Sequence, residues 1–66
     1  MRYQFIMRGS PPEEVMAALP QLSSTPYATG GTVLFGAVED EADVATLIAK
    51  FADLGLYVVE MRPLPD

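Results

Sequence analysis

Few residues in this chain have the chemistry for catalysis or ligation, and most of those have a structural use as well. There is no histidine and no cysteine among the 66 residues. That removes the commonest metal ligand and general base, and with them the thiolate that holds zinc. Ser10, Ser23 and Ser24 therefore have no imidazole to activate them. Acids gather at Glu39-Asp40-Glu41 and Asp43, oxygen donors of the kind a hard cation takes. The alternating spacing and the glycine of a calcium loop are missing, however, and an N-cap and a helix dipole call for acids at these same positions. Gly30-Gly31-Thr32 lacks the lysine and the spacing of a phosphate loop and reads as a hairpin turn. Gly9-Ser10-Pro11-Pro12 joins a strand to a helix start, where backbone N–H groups can bind an anion. Its two prolines remove two of those donors. Gly9 and Ser10 are the candidate ligand-binding residues. Lys50 stands alone on an amphipathic helix, and nothing in the sequence perturbs Tyr3, Tyr27 or Tyr57. No catalytic residue, metal site or cofactor is expected.

Charge narrows the partners. The net charge is −5, and the basic residues are Arg2, Arg8, Lys50 and Arg62. Phosphate backbones are held by clustered positive charge, so neither nucleic acid nor an anionic membrane surface is expected as a partner. Tyr3, Phe5 and Phe35 are placed as on the aromatic strands of RNA-binding sheets, yet the basic-glycine-aromatic signature is absent. Core packing accounts for them. Apolar runs fall far short of the roughly 20 residues that span a bilayer, and no cleavable leader is evident. A cytoplasmic protein is expected.

The elements that must position these residues follow from periodicity. Over residues 2–8, Tyr3, Phe5 and Met7 alternate with Gln4, Ile6 and Arg8, the period of a half-buried strand. Ser10-Pro11-Pro12-Glu13 matches a capping box with proline at the first helical position. A short helix carrying Val15, Ala18, Leu19 and Leu22 follows, stopped or kinked by Pro20. Residues 23–29 make a weak strand whose Pro26 suits an edge. Residues 32–38 make the strongest strand, apolar on both faces as a central strand would be. Asp40 then caps a second helix whose apolar stripe is Val44, Leu47, Ile48 and Phe51, and Gly55 ends it. Residues 56–62 form the last strand, closed by Pro63 and Pro65.

The order is βαββαβ in a single domain, residues 1–66. Right-handed crossovers and a tight hairpin turn this order into a four-stranded antiparallel sheet, 4-1-3-2, with two helices on one face. That is an α+β, ferredoxin-like sandwich. Both prolines then fall on edge strands and the all-apolar strand falls in the centre. Alternation assigns Tyr3, Phe5, Met7, Val33, Phe35, Ala37, Tyr57, Val59 and Met61 to the covered face. The open face receives Gln4, Ile6, Arg8, Leu34, Gly36, Val38, Val58, Glu60 and Arg62. Its apolar middle and charged rim mark a partner surface. The candidate interface is Ile6, Leu34, Val38 and Val58, with Arg8, Glu60 and Arg62 at the rim.

Thr32-Val33-Leu34-Phe35-Gly36, Leu47-Ile48, Leu54-Gly55-Leu56 and Val59-Glu60-Met61-Arg62 together resemble the C-terminal half of short stand-alone proteins found in actinobacteria. That resemblance implies a fold and no activity. The layout of the whole chain is similar to ACT regulatory domains, which implies a ligand loop after the first strand, at Gly9, Ser10 and Pro11. Pro12 stands where those domains have glycine. Three functions are expected in descending order. The first is a non-catalytic interaction or regulatory module, forming a homodimer or binding another protein through the open face. The second is an ACT-like sensor of a small-molecule ligand. The third is an enzyme of the dimeric α+β barrel type.

Overall fold

A computed structural model describes residues 1–28 and 30–65. Six elements follow one another: β1 (Arg2–Met7), α1 (Glu13–Ala17), β2 (Leu22–Pro26), β3 (Thr32–Ala37), α2 (Glu41–Asp53) and β4 (Val58–Leu64). The strands form one sheet in the order β2-β3-β1-β4, with every neighbouring pair antiparallel. This is the 4-1-3-2 order seen from its other edge, and the α+β arrangement is consistent with a ferredoxin-like fold. β2 runs from Leu22 and ends at Pro26, short of the expected 23–29: Tyr27 and Ala28 already belong to the turn, and Thr29 lies outside the described residues. Pro63 lies inside β4, on an edge as its missing N–H requires.

The second helix is defined at both ends by its own residues. Asp43 N–H donates to Asp40 Oδ1 (3.0 Å), and Glu39 N–H donates to Asp43 Oδ2 (3.0 Å). Two donors at the helix start are thereby satisfied by two carboxylates. At the other end Gly55 takes φ +77°. Leu56 N–H reaches back to Phe51 O (2.9 Å) and Gly55 N–H to Ala52 O (3.1 Å), the paired bonds of a Schellman stop. Between these ends, α2 buries Val44, Leu47 and Phe51.

The first helix departs from the expected capping box. Its N-cap is Pro12, with no side-chain hydrogen bond, and it runs only from Glu13 to Ala17. The physical cause is the proline pair. A residue before proline is kept out of the helical region, so Pro11 cannot be helical and the helix starts only after Pro12. Ser10 is left too far upstream to cap it.

Helices and sheet enclose one core, built from Phe5, Met7, Leu22 and Leu34 of the strands, Val44, Leu47 and Phe51 of α2, and Leu19 and Val38 of the connections. The Phe5 and Phe51 rings meet edge to face, 5.0 Å apart, a favourable aromatic geometry.

The facing of β3 is the reverse of the expected one. Phe5 pairs with Leu34 and Met7 with Thr32. Thr32, Leu34 and Gly36 therefore share the covered side with Phe5, and Val33, Phe35 and Ala37 take the open side. A one-residue slip inverts a whole strand in this way. Gly36 explains why this register wins. A Cβ there would come within 2.4 Å of the Gln21 carbonyl oxygen, so only glycine lets the α1–β2 turn settle onto the sheet. β4 is corrected in part. Its register shifts between Ile6 and Met7, leaving Val59 as the extra residue of a bulge. The bulge turns Val58 toward the core, where it packs against the buried cluster, while Val59 is 59% exposed.

Candidate functional site

The open face is built in cross-strand rows. In one row Thr25 of β2, Val33 of β3, Ile6 of β1 and Glu60 of β4 stand side by side. In the next, Ser23, Phe35, Gln4 and Arg62 do so. With its amide carbonyl turned toward the guanidinium, Gln4 accepts from Arg62 Nε (2.7 Å) and Nη2 (3.2 Å). That bond fixes the arginine over the sheet rather than letting it swing outward. Ile6 is only 5% exposed although no helix covers it, because its neighbours close around it. The middle of the face is therefore apolar apart from Gln4, with hydroxyls at the β2 side and a carboxylate and a guanidinium at the β4 side. At one end lies a hollow of about 370 Å³, lined by Ile6, Arg8, Tyr27, Gly30 and Val59 among others.

Of the expected interface residues, Ile6, Glu60 and Arg62 stand on this face and Arg8 borders the hollow. Leu34, Val38 and Val58 do not. Leu34 and Val38 are buried beneath the helices, and Val58 packs against the same cluster. Val33, Phe35 and Val59 occupy the open side in their place. The alternation of β1 could not reveal this, but one signal could. A glycine inside a central strand marks a close backbone approach, which puts Gly36 on the crowded side together with Leu34.

Both edges of the sheet are poor templates for another strand. Tyr27 N–H donates to Gly31 O (3.1 Å), so alternation turns Thr25 and Ser23 toward β3 and leaves Leu22, Ser24 and Pro26 facing out. Pro26 has no N–H, and the Leu22 N–H is used on Leu19 O (3.0 Å). Ser24 alone on β2 offers an outward N–H. On β4, Pro63 must likewise turn its nitrogen away from β1. The bulge and the charged Glu60 and Arg62 blunt that edge further.

Ser10 and Pro11 border a separate cleft of about 160 Å³, shared with Met16, Ser24 and Thr32, whereas Gly9 does not line it. Thr32 is buried, and its Oγ1 donates to the Gly9 carbonyl (2.7 Å) and lies 3.4 Å from Ser10 Oγ. Of the two candidate ligand residues, Gly9 thus has its carbonyl engaged and Ser10 keeps its hydroxyl at the cleft. Among the described residues no group of three His, Cys, Asp or Glu side chains is placed to hold a metal. Among the described residues no helix is long and apolar enough to cross a membrane.

The fold and these surfaces define a small α+β domain with one covered and one open sheet face. Residues 2–62 match the model of a family described as a domain of unknown function, DUF8691, and the chain belongs to that family. No curated protein and no solved structure matches it.

Proposed function

We propose that this chain is a non-catalytic interaction module that associates with a second copy of itself through the open face of its sheet. The observation that carries this reading is the apolar cluster of Val33, Phe35 and Val59 around Ile6, on the side that neither helix covers. Blunted edges leave the face as the surface available for pairing. The rim carries opposite charges at Glu60 and Arg62, so a two-fold operation, which sets a patch against itself, can bring acid to base. A domain of this size buries only about 60% of the surface its unfolded chain exposes, so covering more apolar area adds stability where the margin is thin. The reading takes the protein to work in the cytoplasm, with neither nucleic acid nor a membrane as partner.

Sedimentation equilibrium tests it. The wild-type chain is expected at twice its monomer mass at tens of micromolar, and Phe35→Glu at the monomer mass with an unchanged far-UV spectrum. A monomeric wild type at millimolar concentration, or a dimer that survives Phe35→Glu, rejects this face as the interface.

A second reading, an ACT-like small-ligand sensor, is favoured by the cleft where the Ser10 and Thr32 hydroxyls come together. Stabilisation by an amino acid in a thermal-shift panel, abolished in Ser10→Ala, would support it over the first.

A further inference from the structure

Of the four acids around the start of α2, two are occupied by the cap: the Asp40 and Asp43 carboxylates each accept a backbone N–H. Glu39 takes part through its N–H, not through its carboxylate. Glu41 stands differently. Glu41, Val44, Ala45 and Ile48 fall at i, i+3, i+4 and i+7, a single stripe along the helix. The stripe borders an open groove of about 420 Å³ whose other lining residues are Tyr3 of β1 and Met61 of β4. Met61 is 46% exposed there, although its strand partner Phe5 is buried in the core. The helices thus leave part of the covered side open near the β4 edge.

We propose that this groove binds a small amphipathic amine, an ammonium group carried on an aryl or alkyl body. The volume lies in the range of small-molecule sites, whereas a protein partner needs about 800 Å² from each side. The lining is apolar apart from the Tyr3 hydroxyl and the Glu41 carboxylate, and Glu41 is the one charged residue among those lining it. An apolar body displaces water from Ile48, Ala45 and Met61. Its ammonium group gains the Glu41 carboxylate and can rest on the face of the Tyr3 ring. The net charge of −5 raises the local concentration of cations and lowers that of anions. A carboxylate-bearing ligand of the same shape meets repulsion at Glu41, and an alcohol offers it one hydrogen bond without the ion pair. The groove is on the opposite side of the sheet from the association surface, so this inference does not rest on dimerisation.

The test titrates the intact chain with 4-phenylbutylamine, 4-phenylbutanol and 4-phenylbutyrate while following backbone amide shifts. Shifts are expected to centre on Tyr3, Ala45, Ile48 and Met61. The amine is expected to bind about two- to fivefold more tightly than the alcohol, the range of an exposed ion pair, and the carboxylate more weakly than either. Added salt narrows the gap. Glu41→Gln removes the preference for the amine and changes the affinity for the alcohol much less than that for the amine. Ala45→Trp, at an exposed position, fills the groove and weakens all three. Equal binding of amine and carboxylate, shifts centred elsewhere, or an amine preference that survives Glu41→Gln would each overturn the proposal. The mass of the Phe35→Glu chain is a separate measurement, so failure of one inference leaves the other standing.

Discussion

The two helix starts resemble one another in sequence and behave differently in the fold. Ser10-Pro11-Pro12-Glu13 and Asp40-Glu41-Ala42-Asp43 each place a side-chain acceptor three residues ahead of an acid. Only the second is capped by its side chains: Asp40 accepts from Asp43 N–H and Asp43 accepts from Glu39 N–H. The difference lies in the two residues between acceptor and acid. Glu41 and Ala42 accept helical angles, whereas Pro11 is barred from them by the proline that follows. The consequence extends to packing. The uncapped helix has five residues and buries none of them fully. The capped one has 13 and buries Val44, Leu47 and Phe51. A cap motif in sequence is thus conditional on the backbone freedom of the residues it spans.

Three substitutions sharpen or break this contrast. The largest effect is expected in the well-anchored helix. Phe51→Ala should cost about 3–5 kcal/mol, against a total stability of about 3–10 kcal/mol for a domain of this length. In urea melts this variant should be largely unfolded or have a much lowered midpoint. A loss under about 1 kcal/mol would show that α2 is not the main support of the core. Next comes Asp40→Ala, which removes the acceptor for Asp43 N–H and should cost about 1 kcal/mol, read as a shift of the same midpoint. The smallest is Ser10→Ala. Its hydroxyl caps nothing and has only a 3.4 Å contact with Thr32, so the change should stay within about 0.5 kcal/mol. A loss at Ser10 as large as that at Asp40 would mean the two junctions are equivalent after all.

Order, strand count and topology were legible because independent signals converged on them. Two prolines pointed to the edges, an unbroken apolar run to the centre, and an amphipathic stripe with acids before it and Gly55 after it to α2. The faces were legible only where the strand alternates. Tyr3, Phe5 and Met7 separate from Gln4 and Arg8 by polarity as well as by position, which carries the apolar Ile6 to the open side with them, and β1 lies as its pattern requires. Thr32 to Val38 offers no such contrast. Every residue from Val33 onward is small or apolar, so periodicity leaves the direction of each side chain open. What decides it is the fit of Gly36 beneath the Gln21 carbonyl, a contact between segments that alternation does not encode and that only the glycine inside the strand signals. The β4 bulge escaped for a related reason, since Val58 and Val59 are identical in type and only pairing with β1 distinguishes them. Half of the candidate site, Ile6 with Glu60 and Arg62, was therefore readable in advance, and Val33, Phe35 and Val59 were not.

Prolines at both margins of the sheet limit how copies of this chain can accumulate. Growth into a fibre requires each added molecule to extend the backbone ladder and present a fresh margin to the next. Pro26 and Pro63 each take one outward N–H out of that ladder, one at either margin. In the proposed association, contact through the flat of the sheet covers this apolar patch on both molecules at once, so the patch recruits no third copy. A sequence that is half hydrophobic can therefore carry an oily surface without the hazard of open-ended polymerisation.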